Sequence, residues 1–439
     1  MKSTYTHAMF ALLGILVFIC ITYFLSENRK AVRPQFILFG LGLQLFLGVA
    51  ILGIPRLGVP GALQFLFEWA NIFFSKILEF SDEGSRFVFG PLADEKVIGD
   101  WIFAFRALPV IIFFSSLMAV LYYLRVMQKI IAALSWLMQK TLKISAAESL
   151  SACANIFIGQ TEAPLVIRPY LANLTRSELM VLMVGGMATV AGSVLAAFVG
   201  FLQGRIPDIA GHLLTASVMS APAAILVAKI LVPETQVPET ATKDFKANMR
   251  SEDANVIEAA ANGAREGLSV ALNVAAMLIA FIALLYMANW LVSLLGHLIH
   301  FSSWGEALVP ASMRQEDLEL SLELIMAWLF APCAFLMGIP WEECFLIGAL
   351  LGKKVILNEF VAYVDLTKQM HLLSDKSIII ASYALCGFAN FSSIGIQLGG
   401  IGALAPSRKG DLARFGLRAV YGGSIAAFLT ACWAALLIS

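Results

Sequence analysis

Charged side chains are scarce in this 439-residue sequence: only 14% of its residues are Asp, Glu, Lys or Arg, against about a quarter in an ordinary soluble domain. The 30 basic residues balance the 30 acidic ones, so no excess positive charge indicates a nucleic-acid partner or a polybasic membrane anchor. The six cysteines form no CxxC pair, which argues against a metal site and favours small core residues over disulfides.

Much of the sequence instead consists of long apolar runs. Runs of about 17 to 25 uncharged residues can cross a bilayer, and inside hydrocarbon such a run must be helical because its backbone amides have no other partners. We therefore expect an all-α polytopic membrane protein with eight transmembrane helices, of which the fifth is the shortest. The eight runs are 9–25, 36–54, 107–124, 179–204, 213–228, 267–296, 377–407 and 419–439.

Lysine and arginine collect in alternate loops between these runs. Cytoplasmic loops are enriched in both residues, so this side is predicted to be cytoplasmic, with an even number of spans and both termini outside. The residues concerned are Arg29, Lys30 and Arg33, then Arg125, Lys129, Lys140 and Lys143, then Lys243, Lys246 and Arg250, and finally Arg408, Lys409 and Arg414.

Two regions between spans are too long and too apolar to be simple loops. Residues 127–142 have the helical periodicity of an interfacial helix, as do residues 65–78, and residues 149–161 form an uncharged segment of re-entrant length. The second region repeats this plan with an apolar stretch at 320–339 followed by 344–352 and 353–363.

The two regions are copies of one plan. Glu162 and Glu359 lie 197 positions apart, and so do Ser193 and Asn390. Because three spans separate the copies, one re-entrant hairpin enters from each side of the membrane. An inverted repeat with short, interrupted apolar segments is typical of a secondary transporter whose site lies at the bilayer midplane.

The polar residues of these segments indicate a binding site. Carboxylates within a membrane are costly, so Glu162 and Glu359 are functional candidates, although neighbouring amides could satisfy them as structural groups. The neutral polar side chains nearby suit a polyhydroxylated, uncharged solute. Phe388 either packs or offers an apolar face to a ring. Asn155 and Thr189 either help to bind sodium, together with carbonyls freed by helix breaks, or simply cap those breaks.

At these residues the sequence resembles the concentrative nucleoside transporter family. The matching segments are ANIFIGQTEAP at 154–164, GKKVILNEFVAY at 352–363 and CGFANFSSI at 386–394. The resemblance covers nearly the whole chain and follows the eight-span bacterial form. It implies a homotrimer that imports nucleosides such as uridine by an elevator-type mechanism driven by a cation gradient, with Na⁺ as coupling ion and no other cofactor.

The resemblance also implies a role for each matching residue. Thr189 stands where some members have Ser, and Val270 is smaller than the Leu associated with its position, which leaves the base preference open. The implied base-binding residues are Gln160, Thr161 and Glu162 with Val194 nearby, the ribose-binding residues are Glu359, Asn390 and Ser393 with Phe388 against the ring, and the sodium ligands are the side chains of Asn155 and Thr189 with the carbonyls of Ile158 and Val190.

From these patterns we divide the chain into four parts. Residues 1–145 are mainly scaffold, 146–233 form the first transport half, 234–340 contain a linker, span six and an interfacial helix, and 341–439 form the second transport half. The expected location is the bacterial inner membrane. Proton coupling is the alternative to sodium coupling, and a channel or an intramembrane hydrolase using Glu162 and Glu359 as an acid and base are further alternatives.

Overall fold

The computed structural model describes residues 2–55, 58–94, 97, 102–242, 253–310, 313 and 319–438. Within these ranges the chain is helical, and its only strand-like feature is an isolated bridge between Ile54 and Val59. Three of the basic residues used to orient the chain, Lys243, Lys246 and Arg250, lie outside the described residues.

Helices of very different length follow one another along the chain. The α-helices in order are α1 (Lys2–Phe24), α2 (Pro34–Leu52), α3 (Gln64–Phe89), α4 (Phe103–Tyr123), α5 (Val126–Leu142), α6 (Ala146–Ala154), α7 (Ala163–Val166), α8 (Arg176–Ala188), α9 (Gly192–Leu202), α10 (Ile209–Leu231), α11 (Glu239–Thr242), α12 (Val256–Leu298), α13 (Phe301–Trp304), α14 (Leu322–Leu336), α15 (Trp341–Ile356), α16 (Glu359–Gln369), α17 (Asp375–Leu385), α18 (Phe391–Leu404) and α19 (Lys409–Leu437). Short 3₁₀ turns at Arg29–Ala31, Gly90–Ala93, Arg168–Asn173, Gly305–Leu308, Met370–Leu372 and Pro406–Arg408 connect some of them.

Seven helical segments in the described ranges are long and apolar enough to cross a membrane, and the bent pair α14 and α15, at 119°, would make an eighth. The short fifth run is a full span, α10, of 23 residues. The seventh run, 377–407, differs from the expectation of one helix because it divides into α17 and α18. Gly387 has a φ of +119° there and Asn390 caps the second helix, so the apolar run contains a break that composition does not reveal.

The expected interfacial segments are helical. Residues 65–78 lie within the longer helix α3, residues 127–142 coincide with α5, and the apolar stretch 320–339 contains α14. The predicted re-entrant segments are helix pairs interrupted at their tips. The first is α6 and α7 with its break at 155–162, and the second is α15 and α16 with its break at 357–358.

Burial divides the spans into two groups. In the spans formed by α8 with α9, by α10 and by α19, 83–89% of the residues are buried, whereas in those formed by α1, α2, α4 and α12 the share is 22–33%. The first group is therefore the centre of the bundle. At its periphery, Gly263 and Gly267 bring α12 against the backbone of α4, in the small-xxx-small spacing by which membrane helices approach closely.

The repeat seen in the sequence is present in the helices. The span formed by α8 and α9 breaks after Ala188, and the span formed by α17 and α18 breaks after Leu385, again 197 positions apart. A hairpin with a carboxylate at its tip precedes each broken span. The constant offset shows that the two halves are built on one plan.

The two broken spans run in opposite directions. Arg205, which follows α9, donates to Asp375 at the start of α17 across 2.9 Å. At the other end, Arg408, which follows α18, donates to the carbonyl of Leu174 just before α8. The end of each span therefore lies beside the start of the other, as an inverted repeat requires.

Candidate functional site

Breaks in four helical elements meet near the middle of the bundle. The Gly192 N–H donates to the Phe157 carbonyl across 3.0 Å, which joins the first hairpin tip to the break between α8 and α9. A Cβ atom added to Gly387 would lie 2.8 Å from the carbonyl oxygens of both Met187 and Ala188, so the second broken span touches the first. Broken helices expose amide and carbonyl groups that need polar partners, and here those groups face one another.

One part of the site contains a buried carboxylate. Asn390 Nδ2 donates to Glu359 Oε2 across 2.9 Å, and the two residues are 2% and 3% exposed. Asn390 Oδ1 accepts from the Ser393 N–H at 2.8 Å and so caps α18. The three residues expected to bind ribose therefore lie together. Asn358, which caps α16 through Val361, fixes the start of the helix that carries Glu359.

The first hairpin reaches this group through Gln160. Gln160 Nε2 donates to Ser393 Oγ across 3.0 Å, so residues predicted for the base and for the sugar are in direct contact. Gln397 Nε2 donates to Gln160 Oε1, also at 3.0 Å. A continuous chain of hydrogen bonds thus connects the tips of both hairpins through the start of α18.

Glu162 and Thr161 lie at the first hairpin tip. Glu162 is exposed, and its Oε2 accepts from the Gly159 N–H across 2.7 Å. Thr161 lies against α18, because a Cβ atom on Gly400 would come within 2.8 Å of its Cγ2. Unlike Glu359, Glu162 has an accessible carboxylate with acceptor sites to spare.

The two apolar candidates lie next to the helix breaks. Val194 is 4% exposed and lies in the first turn of α9. Phe388 is partly buried, and its carbonyl accepts from the Asn390 N–H across 2.9 Å. Val194 therefore directly follows the break in the first broken span, and Phe388 lies in the break of the second.

The residues predicted to bind sodium cluster where the first hairpin meets α8. Asn155 and Thr189 are each 1% exposed, and a Cβ atom on Gly185 would lie 3.6 Å from Asn155 Nδ2. Thr189 Oγ1 donates to the Gly185 carbonyl at 2.9 Å. Asn155 Nδ2 donates to the Ser151 carbonyl at 3.1 Å. Asn155 Oδ1 is buried without a hydrogen-bond partner.

The remaining expected ligands are backbone oxygens. Ile158 and Val190 lie in non-helical segments, and no hydrogen-bond donor among the described residues reaches their carbonyls. Na⁺ is a hard cation that prefers neutral oxygen ligands of this kind. An orphaned amide oxygen, a hydroxyl and two free carbonyls therefore fit such an ion.

Two site residues were not identified from the sequence. Gln397 lies four residues after Ser393, on the same face of α18, and this spacing in an apolar helix is a signal that could have revealed it. Lys354 is 1% exposed and donates to the Ala384 carbonyl across 2.9 Å, at the end of α17 where helix carbonyls are negatively polarised.

Three family models match the chain. The "Na+ dependent nucleoside transporter" models match at residues 13–92 for the N-terminus and 212–435 for the C-terminus, and a "Nucleoside recognition" model matches residues 104–205. Together the matched ranges include both hairpins and most of the spans.

Curated relatives are similar over almost the whole chain. Human solute carrier family 28 member 3 is 41% identical over 97% of this chain, and sodium/nucleoside cotransporter 1 of Sus scrofa is 40% identical over 97%. The chain spans 59% and 63% of these two proteins. The transporter YutK of Bacillus subtilis is 41% identical and is covered completely, with 98% of this chain aligned.

Solved structures share the fold. CNTnw in an inward-facing, substrate-bound state has a TM-score of 0.86 at 40% identity, with 98% of both chains covered. A doubly substituted CNTnw in an outward-facing state has a TM-score of 0.85. These are structures of transporters rather than enzymes. With this identity over this length, the chain belongs to the concentrative nucleoside transporter family.

Proposed function

We propose that this protein is a sodium-coupled symporter that imports nucleosides. The observation that carries the proposal is the hydrogen-bonded chain from Glu359 through Asn390 and Ser393 to Gln160. It joins two opposed hairpins inside an apolar bundle, where polar groups are costly to bury and by default mark a functional site.

The chemistry of this network suits a nucleoside. Glu359 keeps acceptor capacity beyond its bond to Asn390, so it can accept from ribose hydroxyls. The Ser393 hydroxyl accepts from Gln160 and retains its own hydrogen for a substrate oxygen. Gln160, Thr161 and Glu162 then bind the base, and Phe388 and Val194 line its apolar faces. Uridine has the required hydroxyls, base and neutral charge.

Sodium is proposed as the co-transported cation. Asn155 and Thr189 supply side-chain oxygens, and Ile158 and Val190 supply carbonyls. The ion would connect the first hairpin to the break in its own broken span, a few residues from Gln160. Binding of the ion would order the hairpin tip that holds the base, which links occupancy of the two sites.

We propose that transport follows an elevator-type mechanism, in which one part of each protomer moves across the membrane against a fixed scaffold. The inverted halves, 146–233 and 341–439, form the moving part, while 1–145 and much of 234–340 form the scaffold of a homotrimer. The burial of α8, α9, α10 and α19 supports a central moving unit, and one relative, CNTnw, solved in inward-facing and outward-facing states supports alternating access. We place the protein in a bacterial inner membrane with both termini outside the cytoplasm.

The proposal is tested by uptake of labelled uridine into proteoliposomes. We expect saturable accumulation above the external concentration when sodium is high outside, and no accumulation when potassium replaces it. Accumulation driven by a proton gradient alone would replace sodium coupling with proton coupling. Flux that never concentrates uridine would indicate a channel and overturn the symporter.

A further inference from the structure

Gln397 is a buried glutamine that the proposed substrate contacts do not include. It is 0% exposed and lies in α18. Its Nε2 makes two hydrogen bonds, to the Met183 carbonyl in α8 and to Gln160 Oε1, each 3.0 Å long. Burial of an amide in an apolar helix is costly unless its hydrogen bonds compensate.

The Met183 bond determines which way the Gln397 amide points. A backbone carbonyl can only accept a hydrogen bond, so the NH₂ group of Gln397 must face Met183. The same NH₂ group faces Gln160, whose interacting atom must then be the oxygen Oε1. This places Gln160 Nε2 toward Ser393 Oγ. The orientation of Gln160 is thus dictated by a carbonyl on another helix.

The surrounding space holds this pair in place. A Cβ atom at Gly186 would lie 2.8 Å from Gln160 Cβ and 3.0 Å from Gln397 Nε2. Glycine is therefore required at this position for the two glutamines to meet beside α8.

We propose that Gln397 is a positioning residue that fixes the hydrogen-bonding polarity of Gln160 and thereby sets base selectivity. The inference rests on the proposed function, in which Gln160 binds the base. With Oε1 held by Gln397, Gln160 presents an N–H donor from Nε2. An amide without this constraint could rotate by half a turn and present either a donor or an acceptor.

A comparison of uridine with cytidine distinguishes a fixed Gln160 amide from one that is free to rotate. At the N3 and C4 edge, uridine presents a donor and a carbonyl acceptor, whereas cytidine presents an acceptor and an amino donor. At each of these two positions the patterns of the two bases are reversed, so a donor that Gln160 holds at one fixed position matches only one of them. A mismatched hydrogen bond is expected to alter apparent affinity by roughly three- to tenfold.

The test compares uptake of both nucleosides by the wild type and by Gln397→Met, which keeps the side-chain length without the amide. We expect the wild-type KM values to differ by roughly three- to tenfold and the ratio to move toward one in the variant, with little change in maximal rate. Gln44→Met is a matched control. Gln44 is also 0% exposed and donates to the Met219 carbonyl in α10 and to Thr430 Oγ1 in α19, neither of which belongs to the network.

The Gln160→Met background separates positioning from packing. If Gln397 acts through Gln160, then adding Gln397→Met to Gln160→Met leaves the KM ratio unchanged. A wild-type ratio of one, or the wild-type ratio retained in Gln397→Met, would overturn the inference. Should Gln397→Met not fold, Gln397→Leu serves in its place under the same criteria. If the wild type takes up neither uridine nor cytidine, the proposed function is overturned instead.

Discussion

Asn390 uses both ends of its side-chain amide: Nδ2 donates to Glu359 across 2.9 Å, while Oδ1 caps α18 through the Ser393 N–H at 2.8 Å. The residue that ends the break in the second span therefore also orients the carboxylate of the second hairpin. The position of Glu359 depends on where α18 begins, so the helix break and the binding group form one unit.

Glu359→Gln is expected to raise the KM for uridine by roughly 10- to 150-fold, because a neutral amide replaces a charged acceptor of hydroxyl hydrogen bonds. Uptake at varied uridine concentration measures this. Glu343→Gln is the control, since Glu343 lies at the start of the same hairpin and accepts from Ser374 without reaching the network. Near-normal uptake by Glu359→Gln would exclude the ribose-binding role.

Asn155→Ala is expected to raise the sodium concentration for half-maximal uptake by at least roughly tenfold, because the buried Oδ1 is lost as an ion ligand. Uptake is measured across sodium concentrations at saturating uridine. Asn173→Ala provides the comparison, since the exposed Asn173 lies in the 3₁₀ turn that follows the same hairpin and donates to Glu239. An unchanged sodium dependence in Asn155→Ala would place the ion elsewhere.

Gly387→Ala is expected to destabilise the protein by about 1–3 kcal/mol and to reduce uptake. The φ of +119° is unfavourable for alanine, and the new Cβ atom would meet two carbonyl oxygens of the opposite span. Thermal unfolding in detergent measures the change. Gly395→Ala, in the interior of α18 with open space around it, should be neutral or slightly stabilising. Equal thermal stability and equal uptake in the two variants would show that the close contact between the breaks is unimportant.

Lys354→Met is expected to weaken uridine uptake while leaving the sodium dependence unchanged, because the lost ammonium binds the Ala384 carbonyl at the end of α17, just before the break that carries Asn390, and not the cation cluster. Nucleoside and sodium titrations of the same preparation measure both effects. Lys368→Met is the control, as the Lys368 side chain is 72% exposed on the adjoining helix α16. A selective change in sodium dependence would contradict this assignment.

The sequence predicted the parts of the site that depend on local rules. Asn390 is recognisable as a polar residue within an apolar run, and the 197-residue spacing pairs it with Ser193. The helical nature of α3 and α5 followed from periodicity, and that of α14 from an apolar stretch that repeats the plan of the first region. The roles assigned to the individual ligands remain predictions.

The parts that could not be predicted depend on contacts between distant segments. Gln397 meets Gln160 across more than 230 positions, and helical spacing alone gives no partner for it. Lys354 is adjacent to Lys353 in sequence, yet Lys353 pairs with Asp365 whereas Lys354 is buried against α17. The division of the run 377–407 escaped detection because hydropathy measures composition and not backbone conformation.

The constant spacing of the two halves limits what the chain can tolerate. From the hairpin carboxylate to the polar residue just past the helix break, each half has the same number of residues. A one-residue insertion between Glu162 and Ser193 would turn every following side chain of a helix by about 100° and carry the break away from the hairpin tip. Between these positions the length of the chain is therefore as constrained as the identity of its polar residues, and deletions or tags belong in the segments outside them.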